Sequence, residues 1–452
     1  MTISTRSLLN GTVWTIGAYG ISTILRTGTN IVLARLLAPE IFGTMLIVYT
    51  LRMGIEFISD VGINQNIIYN KNADDPEFYN TAWTLQLIRS VVLWLVFVAA
   101  AAPMAHFYES PILAVVVPVT SFSIVFTGLT SISKSLLQKR MQIAKLNVFD
   151  IIMAFVGSAA TIIFAYFSPT VWALAFGGVF GSAVSMIGSY FLLAGVKQRL
   201  HLSKQYSKQI LNFGKWIFVS SIVFFLSMYI DRLYLGKVVP LELLGIYGIA
   251  RSISDLSGNL VLRLGNIVLF PFIASHSQMP RADLRNQLAS LRVKFLLVAV
   301  FGFAFFVSTA DLAIKLLYDQ RYLAAGWMLP LLVVGSWFSV LAYVNESILL
   351  GLGKPSYGAV SNSAKLVFLL IGLPVMVKVF GLLGGVTVVA LADLCRYVPI
   401  LIGQKRERFS FGMQDLFLTS AVFLTIGLLE WLRWVSGFGT SFDTLPIDWR
   451  FF

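Results

Sequence analysis

Long apolar runs recur along the chain, near 11–34, 41–65, 82–104, 112–134, 146–168, 171–194, 213–235, 243–272, 292–310, 326–350, 358–377, 382–402 and 415–435. A helix needs about 20 mostly apolar residues to cross a bilayer. These runs are about twice the length of a membrane strand and lack its strict alternation, which sets them apart from a barrel. The pattern predicts an all-α integral membrane protein with about thirteen spanning helices. The connections are short, and none of the outside loops approaches the roughly 50 residues that a separate domain takes. The first run is too long for a signal-peptide core and has no small-residue cleavage site, so it is expected to remain as the first helix.

Polar interruptions within the runs carry the chemistry. In "YTLRMGIEFISDVGINQNII", residues 49–68, Arg52, Glu56 and Asp60 recur every four residues and so share one face of a helix. Arg251, Asp255, Asn259 and Arg263 form a second such stripe in the eighth run. The other embedded charges are Arg26, Arg89, Arg232, Lys365 and Arg396, with Asp150, Asp231, Glu346 and Asp393 as acids at comparable depth. A charge there costs roughly 3 kcal/mol even on the lenient insertion scale, so such groups face a bundle interior or a wet cavity. Two readings stay open. Arg52 with Glu56, and Arg251 with Asp255, could be ion pairs that only pin helices together, or they could line a binding cavity. Neither Arg26 nor Arg263 has an acid three or four residues away, so an excess of positive charge suited to a large anion is expected near the first and eighth helices.

The chain also repeats itself. "LLNGTVW" at 8–14 matches "ILNFGKW" at 210–216, placing Asn10 over Asn212 and Trp14 over Trp216, and "LARLLAPEIFG" at 33–43 matches "LGKVVPLELLG" at 235–245 with the same offset. Slipping that alignment by three residues superposes the two charged stripes. Six helices separate the copies, an even number, so both halves enter the membrane in the same direction. The expected organisation is a six-helix bundle over 1–200, a second over 201–405, and an appended helix and tail over 406–452, the bundles being a parallel pseudo-repeat.

Composition agrees with a bilayer as the solvent: 57% of residues are hydrophobic and 12% charged, with a mean hydropathy of +0.81, against about a quarter charged in soluble domains. The net charge of +13 would raise the question of nucleic acid, but its distribution reports topology instead. With the N-terminus in the cytoplasm, nineteen Lys and Arg fall in inside loops and six in outside loops, as the positive-inside rule requires. No nucleic-acid partner is expected. Cys395 is the single cysteine, and His106, His201 and His276 lie in separate loops, so no metal or other cofactor is expected. Gly177, Gly181 and Ser185 form a small-residue face that reads as packing, and Asp74 with Asp75 as a solvated acidic pair.

"LARLLAPEIFG", "DVGINQNIIYN" at 60–70, "FYNTAWTLQLIRS" at 78–90 and "ILLGLGKPSYG" at 348–358 resemble the polysaccharide transporter family of the multidrug/oligosaccharidyl-lipid/polysaccharide exporter superfamily, over about residues 1–410. The resemblance implies two six-helix bundles around a cavity. It also implies an exporter that flips undecaprenyl-pyrophosphate-linked oligosaccharides across the bacterial inner membrane by alternating access, for exopolysaccharide, O-antigen or capsule synthesis. Related lipid flippases carry cavity cations on their first, second and eighth helices, and the matching positions are Arg26, Arg52, Arg251 and Arg263, with Glu56, Asp60 and Asp255 as charge partners. Asp150 and Asp393 are the candidates for ion coupling. Expected partners are the lipid-linked substrate, the bilayer, and polysaccharide polymerase and export machinery. The alternatives are a cation-coupled drug exporter of the same superfamily, which would favour an acidic cavity, and a membrane glycosyltransferase or polymerase, which would need a catalytic acid or base at a membrane surface. Flipping breaks no bond, the chain has no phosphate-loop motif, and it is expected not to be an enzyme.

Overall fold

The computed structural model of the protein describes residues 5–59, 62–70, 73–193, 195–265, 269, 272–273, 276 and 279–446, with the side chains of 5–16, 58, 69, 211–220, 264 and 291 outside that description. The side chains of the Asn10/Asn212 and Trp14/Trp216 pairs therefore lie outside it. The described residues form helices and no strand. In chain order the helices are α1 (Thr5–Leu36), α2 (Pro39–Ile58), α3 (Ile63–Tyr69), α4 (Pro76–Phe107), α5 (Leu113–Leu129), α6 (Ser133–Lys139), α7 (Ile143–Phe167), α8 (Val171–Ser189), α9 (Lys204–Val238), α10 (Leu241–Leu264), α11 (Arg281–Leu317), α12 (Ala325–Gly351), α13 (Ser356–Arg406) and α14 (Gly412–Val435). Among the described residues seven helices are long and apolar enough to cross a bilayer, or eight if α5 and α6, bent by 55°, count as one span. The chain is a multi-pass membrane protein.

Local chemistry sets the breaks. Pro39 and Pro76 open α2 and α4 at positions where a missing N–H costs nothing, and Asp75 caps α4 by accepting the Glu77 N–H at 3.0 Å. The predicted runs 358–377 and 382–402 both fall in α13, which Gly381 divides with φ 57° and ψ −146°. A side chain would be strained in that conformation, so the glycine separates two spans.

Two compact units share the chain, Met1–Phe225 and Leu226–Phe452, their boundary falling within α9. In the first unit α5 packs on α4, α2 and α8, while α7 packs on α8 and α1. In the second, α12 packs on α11, α10 and α13, and α14 lies along α11. Like neighbours thus meet in each unit. Helix ends repeat as well: Leu36 and Val238 close α1 and α9, Pro39 and Leu241 open α2 and α10, and each pair is 202 residues apart. Both second helices therefore start in register without the three-residue slip. The slip places the Arg251–Asp255 pair about one turn nearer the start of its helix than Arg52–Glu56.

The small-residue face on α8 packs closely on α7. A Cβ on Gly177 would lie 2.3 Å from Thr161 Oγ1, and one on Gly181 would lie 3.3 Å from the Gly157 Cα. At one end of the first unit α3, α6 and the start of α4 enclose a cluster of Ile63, Ile67, Phe78, Trp83 and Leu136. The segment after α8 is strapped there, its Arg199, His201 and Ser203 amides donating to Asn80 Oδ1, Thr84 Oγ1 and Thr81 Oγ1.

Candidate functional site: membrane-embedded charge networks

In the first unit the four-residue spacing on α2 brings Arg52 Nε to Glu56 Oε1 at 2.9 Å. Arg52 Nη1 also donates to Ser123 Oγ on α5 at 2.7 Å. Its Nη2 makes no hydrogen bond among the described residues, and both members of the pair are half-buried. Arg89 on α4 plays a different part. It donates to the Glu56 carbonyl at 2.7 Å and to Ser59 Oγ at 2.8 Å, satisfying the end of α2 where carbonyls lack partners. Asp60 lies outside the described residues. Arg26 is exposed on α1 and has no ion-pair partner among the described residues.

The second unit holds a larger network. Arg251 on α10 stands 3.2 Å from Asp255 and 3.7 Å from Asp231 of α9. Arg232 reaches the other oxygen of Asp255 at 2.6 Å, and the Tyr247 hydroxyl donates to Asp231. On the halves of α13, Lys365 meets Asp393 at 2.8 Å, while Arg396 meets Glu346 of α12 at 2.5 Å and stacks its guanidinium 4.1 Å from the centre of the Tyr343 ring. Met228 of α9 joins the two groups, its Sδ 4.0 Å from Lys365 Nζ and 3.9 Å from the Tyr343 hydroxyl. Arg232, Arg251, Lys365 and Arg396 thus face Asp231, Asp255, Glu346 and Asp393, and the formal charges cancel. The most exposed members are acids: 29% of the Asp255 side chain and 25% of Glu346.

α14 is built into this unit. In its first turn Asp415 accepts bonds from Arg292 of α11, from Asn345 of α12 at 2.9 Å and from Tyr397 of α13 at 2.7 Å. Near its other end Arg433 donates to both oxygens of Asp311 on α11, at 2.8 and 3.1 Å. Asn345 and Tyr397 are the chain neighbours of Glu346 and Arg396, so the polar anchor of α14 adjoins the charge network.

Of the residues marked in the sequence, Arg52 with Glu56 and Arg251 with Asp255 are ion pairs, and the latter belongs to a cluster of eight charges. Arg263 is exposed in the last turn of α10. Asp150 is exposed and pairs with Lys134 of α6 at 2.9 Å. Asp393 is buried and already held by Lys365. Sequence reasoning missed the Tyr247 and Tyr343 contacts and the anchor at Asp415, because helical spacing reports only neighbours on the same helix. Among the described residues no three of His, Cys, Asp and Glu gather into a metal-holding group.

The model of a family described as polysaccharide biosynthesis protein matches residues 32–326. A putative O-antigen transporter of Shigella flexneri is 24% identical over 395 residues, which are 84% of this chain and 93% of that one. Among solved structures, the lipid II flippase MurJ in an inward closed conformation aligns with a TM-score of 0.75 and 13% identity, covering 94% of this chain and 93% of that one. An inward-facing multidrug resistance MATE family transporter of the MOP superfamily aligns with a TM-score of 0.66 and 15% identity, covering 88% and 96%. The fold is the two-lobed one of these transporters.

Proposed function

The chain belongs to the polysaccharide biosynthesis protein family, and from that premise we propose that it flips lipid-linked oligosaccharide repeat units across a membrane for polysaccharide assembly. It is a transporter and not an enzyme. The substrate we propose is an undecaprenyl-pyrophosphate-linked oligosaccharide, the membrane is the bacterial inner membrane, and the N-terminus lies in the cytoplasm. Residues 1–200 and 201–405 act as the homologous halves of an alternating-access carrier, with 406–452 as an added segment whose helix α14 is anchored to the second half. Polysaccharide polymerase and export machinery take up the product.

One observation carries the site assignment: Arg52 is an embedded, half-buried guanidinium whose Nη2 makes no bond among the described residues. A fixed guanidinium suits the planar oxygens of a phosphate. Arg26 and Arg52 of the first unit, and Arg251 and Arg263 of the second, are the residues we assign to the pyrophosphate, with Glu56, Asp60 and Asp255 as their charge partners. A carrier of this kind needs a binding step and no bond cleavage. Deleting the gene should make the lipid-linked sugar accumulate on the cytoplasmic leaflet. Polymer production that continues undisturbed would refute the reading.

The drug-exporter reading draws on one feature, the exposure of Asp255 and Glu346 at the edge of the second network, since carboxylates attract cations. It predicts that the deletion sensitises cells to cationic drugs and leaves lipid-linked sugars unchanged. Reporters fused after Lys208 or Arg285 should be cytoplasmic and one after Lys237 external, which checks the orientation.

A further inference from the structure

The second span of α13 presents an apolar stripe that the described residues leave uncovered. Leu391, Leu394, Val398 and Ile402 are 36–46% exposed and recur at helical spacing, while Asp393, Arg396, Tyr397, Ile400 and Gln404 on the other side are buried. Such a face is ordinary where lipid tails are the solvent. What distinguishes it is its end: the same spacing carries the stripe into Lys405 and Arg406, both exposed in the last turn of α13. The exposed face of α8, with Phe176, Phe180 and Ile187, ends instead at Tyr190 and Phe191, and no cation follows before Lys197.

The dimensions fit a lipid. From Leu391 to Ile402 the helix rises about 16 Å at 1.5 Å per residue, and one leaflet of the hydrocarbon core is about 15 Å deep. The two cations then stand at headgroup level. They belong to a wider basic end of the second unit, where the start of α11, the turn between α12 and α13, and the end of α13 meet. Arg281 and Lys354 share the half-buried Glu407 at 3.8 and 3.4 Å, and Arg285 donates to the Ser410 carbonyl at 3.1 Å. Lys405, Arg406 and Arg408 are exposed and have no ion-pair partner among the described residues. Met413, Leu416 and Phe417, all exposed, follow at the start of α14, so apolar surface flanks the cations on that side as well.

We infer that this face is a docking site for an anionic glycerophospholipid, whose headgroup phosphate meets Lys405 and Arg406 while an acyl chain lies along residues 391–402. A phosphodiester is common to neutral and anionic lipids. A choline or ethanolamine headgroup, however, brings its own cation, which this basic end repels, whereas a headgroup of net negative charge is drawn to it. Glu407 is engaged by Arg281 and Lys354, which leaves Lys405, Arg406 and Arg408 for the leaflet. In the orientation proposed above this is the cytoplasmic leaflet, and the inference stands apart from the proposed substrate.

Native mass spectrometry of the full-length protein in detergent, titrated with dioleoylphosphatidylglycerol or dioleoylphosphatidylcholine, counts the lipids that stay bound. The first phosphatidylglycerol should bind about tenfold more tightly than phosphatidylcholine, and Lys405→Gln with Arg406→Gln should remove that preference. Both side chains are exposed, so the double variant should fold as the wild type does. Lys145→Gln with Lys208→Gln takes the same charge from the first unit and should leave the preference intact, which separates a site from diffuse attraction. Equal binding of the two lipids, a preference that survives the change at Lys405 and Arg406, or one that falls as far in the first-unit variant overturns the site. Displacement of the bound phosphatidylglycerol by equimolar farnesyl pyrophosphate overturns the phospholipid as its occupant and gives the patch to a pyrophosphate lipid.

Discussion

Lys365 and Asp393 meet at 2.8 Å in the interior of the second unit, with 4% and 6% of their side chains exposed. The pair joins the two spans of α13 on either side of Gly381. Removing one partner of such a pair strands a buried charge, at a cost of about 3–5 kcal/mol, whereas replacing both with apolar residues can be neutral. Lys365→Met or Asp393→Asn should therefore sharply lower the yield of folded protein on size-exclusion chromatography, and Lys365→Met with Asp393→Leu should recover most of it. A double variant as poor as the singles would show that the pair does more than balance charge.

Arg52 separates the binding and packing readings of the first unit. Arg52→Ala should abolish export while the protein still inserts, because Arg89 and not Arg52 satisfies the end of α2. If the pair only pins helices, Arg52→Ala with Glu56→Ala removes both charges and restores export. Polymer production in cells carrying the two variants decides between them.

α14 is expected to be indispensable to the second unit. Asp415→Ala leaves Arg292 buried without its carboxylate, and should cost about 3–5 kcal/mol. Truncation after Phe411 removes both Asp415 and Arg433. Thermal unfolding followed by thiol labelling at Cys395 should show an earlier transition for either change, and an unchanged transition would make the helix a true appendage.

Gly335 of α12 packs tightly against the α13 backbone at Ala390. A Cβ there would stand 2.3 Å from the Ala390 carbonyl oxygen and 2.6 Å from its Cα. Backbone cannot swing aside as a side chain does, so Gly335→Ala should cost about 3 kcal/mol or more. Gly427→Ala has open space around its Cβ and should leave the yield of folded protein unchanged in a side-by-side purification.

The electrical sign of the proposed substrate sets the energetics of transport. Outward movement of a net negative charge from a negative interior gains about 2.3 kcal/mol per 100 mV. In sealed vesicles a potential should speed movement toward the positive side without nucleotide. Flux that ignores the potential and demands ATP would exclude this mechanism.

What the chain determines alone is what depends on near neighbours. Apolar length identifies the spanning helices, since every backbone group in a bilayer must be satisfied within its own helix. The break at Gly381 shows as a lapse between two apolar runs, and the pairs Arg52–Glu56 and Arg251–Asp255 follow from helical spacing. Tertiary structure alone decided which helices face each other, at what depth and rotation. Lys365 and Asp393 are 28 residues apart, Arg292 and Asp415 are 123 apart, and nothing in either segment specifies the partner. The stripe on α10 looked cationic in sequence because Asp231 and Asp393 belong to other helices. Packing brings Asp231 within 3.7 Å of Arg251 and sets Asp393 against Lys365, and with them comes the charge balance of the network.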